Sequence, residues 1–160
     1  MSARLTVVIP SFNASNYAKC AVQSVLDQNV EGVVVLIVDD ASEPEHASAL
    51  DALALNENVS VLRHEVNQGC RPARRHGWEA AETEIVAFLD DDDRHLPGYL
   101  DACLAELDAH PEYGAIHTQY WWVQPDGERI RVLPKHGNSG NIYTREVEKG
   151  TVKNSTLMIR

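Results

Sequence analysis

Four short runs in the first ninety residues are dominated by apolar, largely β-branched side chains: "LTVVIP" (5–10), "VVVLIV" (33–38), "VSVLRH" (59–64) and "IVAFL" (85–89). Runs of that length and composition predict strands. The segments between them change period. In "NYAKCAVQSVLDQ" (16–28), Ala18, Ala21, Val22, Val25 and Leu26 recur at helical spacing. Ser42 is placed to cap a second helix whose first turn holds Glu43, Pro44 and Glu45. A third helix is predicted over 71–82, and a fourth over 97–109, where Leu100, Cys103, Leu104 and Leu107 share a face.

Strands that are apolar on both faces need helices on both sides, and strand–helix alternation predicts parallel pairing. The expected fold class is therefore α/β, a Rossmann-like, doubly wound, mostly parallel sheet with a second half rich in β-hairpins. Residues 1–160 read as one domain, with a first half over 1–112 and a second over 113–160. In the second half, 115–123 and 128–133 read as a hairpin about a turn at 124–127, 134–144 as a loop, and 154–160 as a strand. Placed at a sheet edge, that last strand could pair with another copy, which leaves a homo-oligomer open. Trp121 and Trp122, adjacent on the hairpin, would point to opposite faces, one to the core and one to a partner.

Composition narrows the function classes. The 160 residues are 44% hydrophobic and carry a net charge of −10, a balance that disfavours nucleic acid as a partner. The apolar runs are too short to cross a bilayer, and "MSARLTVVIP" lacks a secretory pattern, so a cytoplasmic protein with no transmembrane segment is expected. Cys20, Cys70 and Cys103 form no C-x-x-C pair and read as reduced thiols, with Cys20 and Cys103 packed among helical apolar positions.

In open α/β sheets ligands bind beyond the carboxyl ends of the strands. Those ends carry "PSFNAS" (10–15), Asp39–Asp40, "EVNQGCRPARR" (65–75) and Asp90, Asp91, Asp92 and Asp93. Four neighbouring carboxylates repel one another, and one or two would satisfy the dipole of a following helix. Four at the mouth of a crevice fit a hard divalent cation, Mn2+ or Mg2+, that shares its shell with phosphate oxygens. Alternate residues of an extended segment project the same way, so Asp90 and Asp92 are paired in that role and Asp91 is not. Neither G-x-G-x-x-G nor a P-loop follows the first strand, which leaves a diphosphate to the metal and the base and ribose to Asp40 and the loop near Asn13.

With these residues in place, the sequence resembles family 2 glycosyltransferases, inverting, nucleotide-sugar-dependent enzymes of GT-A fold. "TVVIPSFNASNYAKCAVQSVLDQ" is similar to that family's opening, "VVVLIVDDAS" to its V-D-D-x-S strand end, and "HEVNQGCRPARRHGWEAAETEIVAFLDDDD" to N-x-G-x-x-x-A-R-x-x-G followed by a strand bearing D-x-D. The resemblance, over about residues 5–110, implies that Pro10, Ser11, Phe12 and Asn13 line a base pocket and that Asp40 contacts uracil or its counterpart. It further implies that Gly69, Arg74, Asp90 and Asp91 lie against the nucleotide, and that Asp92, aided by Asp90, holds the metal. Asp39 is then structural and Asp93 starts a helix. The implied partners are a nucleotide-diphosphate sugar, most simply a UDP-sugar, and a saccharide, lipid or protein acceptor.

The family's acceptor segment and its acidic general base are not visible in the sequence. Glu146 and Glu148 stand in "REVEKG", which does not resemble the base motif, so no base is assigned. A non-catalytic nucleotide-sugar-binding unit is the main alternative. A phosphoacceptor receiver domain is weaker, because a strand and a full helix precede its would-be acid pair in "LIVDD" (36–40), although Lys135 follows a proline as in such domains. A nucleotidyltransferase would need a Gly-rich basic loop where "PSFNAS" stands.

Overall fold

The structure, a computed structural model, describes residues 3–124, 128–133 and 153–160. Its elements follow the order β1 (Leu5–Ser11), α1 (Ser15–Leu26), β2 (Val33–Asp39), α2 (Pro44–Leu53), β3 (Val59–Arg63), α3 (Cys70–Ala80), β4 (Ile85–Phe88) and α4 (Tyr99–Ala109). Then come β5 (Ala115–His117), β6 (Tyr120–Val123), β7 (Arg129–Leu133), a single 3-10 turn at Asn154–Thr156 and β8 (Leu157–Ile159). Six strands form one sheet in the order β3-β2-β1-β4-β8-β5, with β1 to β4 parallel and β8 antiparallel to both its neighbours.

The period-two alternation of the strands sorts their side chains into two cores. Leu5, Val7 and Ile9 of β1, Val35 and Ile37 of β2, and Ile85, Ala87 and Leu89 at β4 pack with Ala18, Val22 and Val25 of α1, Leu50 of α2 and Leu100, Leu104 and Leu107 of α4. On the other face Val8, Val38, Val86 and Phe88 meet Ala73 of α3. The sheet is covered on both sides, as its apolar strands require. Gly77 lets α3 lie against that second face, since a Cβ there would stand 2.4 Å from a Val8 methyl and 2.9 Å from one of Val38. Overpacking of that kind costs about 1–3 kcal/mol.

Three expectations for the second half need correction. The segment 115–123 is not one arm of a hairpin: β5 joins the main sheet, and only β6 pairs with β7, in a separate two-stranded ribbon. Residues 154–160 do not form a free sheet edge. The strand there, β8, fills the slot between β4 and β5 with Met158 fully buried, so the edge argument for a second copy falls away. Trp121 and Trp122 are both exposed, and neither enters the core, because the ribbon has no layer packed beneath it among the described residues. Arg129 lies 5.2 Å from the centre of the Trp121 ring, a cation–π contact. The turn at 125–127, the loop at 134–144, Lys135, Glu146 and Glu148 lie outside the described residues. No helix among the described residues is long and apolar enough to cross a membrane.

Candidate functional site

The parallel strands β1, β2 and β4 end on one rim, where a cleft of about 210 Å3 is lined by Pro10, Ser11, Phe12, Ala14, Asp40, Cys70, Ala73 and Asp91. Five of the expected residues are thus gathered from three strand ends. Cys70 and Ala73, which face the cleft from the first turn of α3, carried no signal in the sequence beyond their places around the A-R pair.

Asn13 does not line this cleft. It adopts a left-handed φ of 51°, a conformation Asn tolerates better than most residues, and its amide oxygen accepts the backbone N–H of Glu43 at 2.8 Å. Its own N–H donates to Ser42 Oγ at 2.9 Å. The expected cap on α2 is accordingly supplied from the first loop, and the Ser42 hydroxyl turns to Asn13 instead. Asn13 acts here as a brace between the first and second loops.

Asp39 and Asp40 are both buried, but their partners differ. Asp39 accepts the Ser42 N–H at 2.9 Å and Arg63 Nε at 2.6 Å, and Arg63 reaches on to Asp51 in α2. It is structural. Asp40 accepts the N–H groups of Gln68 and Gly69 at 2.9 and 2.7 Å, and His64 Nδ1 at 2.7 Å. Burial works to raise the Asp40 carboxyl, but the bonds from Gln68, His64 and Gly69 outweigh it and hold the group below its ordinary value. Gly69 has a φ of 92°, a region open to glycine, which turns its N–H toward Asp40 as the chain enters α3.

Beyond the cleft, Asp90, Asp92 and Asp93 bring one carboxylate oxygen each to within 4.8 Å of one another. Asp93 does not start a helix: α4 begins at Tyr99, after the left-handed Gly98. The segment is not extended either. The Asp93 N–H donates to the Asp90 carbonyl at 3.0 Å, and this turn brings Asp93 round to join Asp90 and Asp92 while Asp91 goes to the cleft with Ser11. Arg74 pairs with Asp90, and Lys153 stands 3.4 Å from Asp90 and 3.3 Å from Asp93. Burial opposes the Arg74 charge, yet Asp90 overrides it and the guanidinium holds its proton more tightly than usual.

Ser155 accepts the Asp90 N–H at 3.0 Å and donates to Asp93 at 2.5 Å, pinning the acidic turn from below. Its carbonyl faces His95 Nε2 at 3.2 Å, and burial holds that imidazole neutral with its pKa lowered to about 4. Lys153 and Ser155 reach the site only because β8 runs antiparallel beside β4, which delivers the residues before β8 to the carboxyl end of β4. Sequence reasoning missed both, since no local pattern marks that pairing.

A two-faced α/β sheet with aspartates at its carboxyl rim is a ligand-binding architecture, and the solved structures that it resembles give it the GT-A type. The chain belongs to glycosyltransferase family 2, whose sequence profile matches residues 6–157. Among relatives, an uncharacterised glycosyltransferase of Rickettsia conorii is 30% identical over 157 residues, 97% of this chain and 25% of its own length. The glycosyltransferase GlyG of Streptococcus pneumoniae is 31% identical over 128 residues, covering 79% of this chain and 42% of that protein. Both alignments span less than half of the relative.

Solved structures agree on the fold. S. aureus TarS 1-349 in complex with UDP aligns with a TM-score of 0.76 at 22% identity, over 98% of this chain and 46% of that one. The mannosyltransferase PcManGT of Pyrobaculum calidifontis, in complex with GDP-Man and Mn2+, gives 0.70 at 18% identity, over 99% and 45%. The receiver alternative is set aside by the family match and by the antiparallel β8.

Proposed function

We propose that this chain is the donor-binding part of a metal-assisted, inverting glycosyltransferase that takes a nucleoside-diphosphate sugar, a UDP-sugar in the first instance. One observation carries the reading: the cleft holding Asp40 is also lined by Asp91, whose chain neighbours Asp90 and Asp92 gather their carboxylates with that of Asp93, and Arg74, next in the chain to the cleft-lining Ala73, pairs with Asp90. A nucleoside diphosphate has the matching polarity, a hydrogen-bonding base at one end and a phosphate pair at the other. The UDP of the TarS complex and the GDP-Man and Mn2+ of the PcManGT complex support it by likeness of fold.

The three carboxylates are hard oxygen donors close enough to share one ion, so the residues fit a divalent cation. Asp92, the exposed member, would hold it together with Asp90 and Asp93, and the ion would supply positive charge to the departing diphosphate. Arg74 and Lys153 add positive charge beside the same oxygens. Ser11, Phe12, Cys70 and Ala73 line the cleft, and Ser155 fixes the acidic turn. Inverting transfer also requires a base for the acceptor hydroxyl proton. We assign that role to no residue of this chain, which leaves donor binding without turnover as the second reading. Titration of the protein with UDP and GDP, with and without Mn2+, by calorimetry tests the proposal. Mn2+-dependent binding of one of them is expected, and the absence of heat with both overturns it.

A further inference from the structure

Asp40 offers about four lone-pair positions on its two oxygens. Oδ1 accepts both the Gln68 N–H and His64 Nδ1, and Oδ2 accepts the Gly69 N–H. One position on Oδ2 remains, on a residue that lines the cleft. His64 is itself buried, with a side chain 3% exposed, and its second nitrogen is also engaged: Nε2 lies 2.8 Å from Nδ1 of His76 on α3, with the two ring planes 16° apart. Because an ionised carboxylate only accepts, His64 Nδ1 carries a hydrogen. The contact to His76 then closes either with His76 donating to neutral His64 or with doubly protonated His64 donating to His76. Both arrangements keep an N–H aimed at Asp40.

A buried imidazole used only to satisfy a carboxylate needs one partner. This one has two, from β2 and α3, and the chain Asp40–His64–His76 runs from the cleft to an exposed position on the helix. We infer that His64 and His76 are positioning residues for base recognition, holding Asp40 so that its one uncommitted lone pair accepts a ring N–H and the site favours uracil or guanine over cytosine or adenine. Uracil and guanine carry a hydrogen on the ring nitrogen of their pairing edge. Cytosine and adenine present a lone pair there, which the carboxylate repels, and a site built around a buried acceptor discriminates strongly against a ligand that leaves it unpaired.

The inference rests on the donor-site reading above and is tested with UDP, GDP, CDP and ADP in the presence of Mn2+, by calorimetry on the full chain. In the parent protein the better of UDP and GDP is expected to bind about tenfold or more tighter than CDP and ADP. His64→Leu and His76→Ala should shrink that ratio to about threefold or less, while His64→Asn, whose amide nitrogen can take the place of Nδ1, restores most of it. His76 is exposed, so His76→Ala decides the matter should His64→Leu fail to fold. A base preference that survives in the folded variants, an equal loss for all four nucleotides, or a parent protein with no preference overturns the positioning role and leaves the donor site standing. A parent protein that binds none of the four overturns both.

Discussion

The carboxyl ends of β2 and β4 both carry consecutive aspartates, yet the protein treats them oppositely. At β2, Asp39 and Asp40 are buried; Asp39 accepts one backbone N–H and Asp40 two, and each accepts a nitrogen-bearing side chain as well. Their charges are compensated by groups that folding puts in place. At β4, Asp90, Asp92 and Asp93 face one another across less than 5 Å, and the cations beside them are the tips of Arg74 and Lys153, the latter 40% exposed. Buried carboxylates held by fixed hydrogen bonds define a shape. Crowded carboxylates whose counter-ions are side-chain tips present a charge that a soluble cation can also meet.

That contrast breaks most visibly in stability. Asp39→Ala removes the partner of Arg63 and of the Ser42 N–H, and with them the tie from β2 through Arg63 to Asp51 of α2. Loss of one member of a buried pair costs about 3–5 kcal/mol. Arg63 is 39% exposed and regains water, so a cost of about 2–3 kcal/mol in urea unfolding is expected. Asp92→Asn, in an exposed member of the other cluster, should leave the unfolding midpoint nearly unchanged and weaken Mn2+-dependent UDP binding about tenfold or more. A destabilising Asp92→Asn with intact metal dependence would erase the distinction between the two strand ends.

The sequence showed the first of these regions more fully than the second. Alternation of apolar strands and amphipathic helices was enough to place β1 to β4 and α1 to α4, because each element there is long enough for its period to be read and its neighbours follow in chain order. Asp40, Ser11 and Phe12 could be put at the cleft from strand ends alone. What the chain did not disclose depends on pairing between distant segments. Lys153 and Ser155 meet the aspartates only through β8, whose slot between β4 and β5 has no local signature. Asp93 was placed in a helix because an acid before an amphipathic run usually belongs to its first turn, whereas Pro97 and Gly98 delay α4 and a turn at 90–93 recruits Asp93 to the cluster. Asn13 is expected at the base pocket with Phe12, and no local signal shows that its amide oxygen accepts the Glu43 N–H across the two loops.

Lys153 sharpens the comparison from the side of the counter-ion. If its ammonium is a stand-in that a divalent cation displaces, Lys153→Met should tighten Mn2+ binding in the absence of nucleotide. A partly exposed ion pair contributes about 1 kcal/mol or less, which sets the gain at about fivefold or below. Titration of Mn2+ followed by its paramagnetic effect on solvent water relaxation reads that affinity directly. Weaker binding in the variant would mean that Lys153 orders the carboxylates instead of competing for them.

Asp91 provides the smallest effect and the finest test, because it sits in the β4 cluster by sequence but in the cleft by structure. Burial raises its carboxyl, the Ser11 hydroxyl opposes that shift, and the charges of Asp92 and Asp90 reinforce it. A carboxyl that holds its proton more tightly when folded contributes stability that is fully present below the unfolded pKa and is lost as pH rises through the folded one. Asp40 runs the other way: its lowered carboxyl contributes above the unfolded value and loses that contribution as pH falls through the folded one. Asp91→Asn removes only the first of these. It should therefore raise the melting temperature near neutral pH, where the parent must bury a charge, and the gain should close as the buffer approaches about pH 4, where ordinary carboxylates take up protons. A melting-temperature difference that is flat from acid to neutral pH would show that Asp91 meets no more desolvation than its exposed neighbour Asp92, and that the division of the four aspartates between cleft and cluster is wrong.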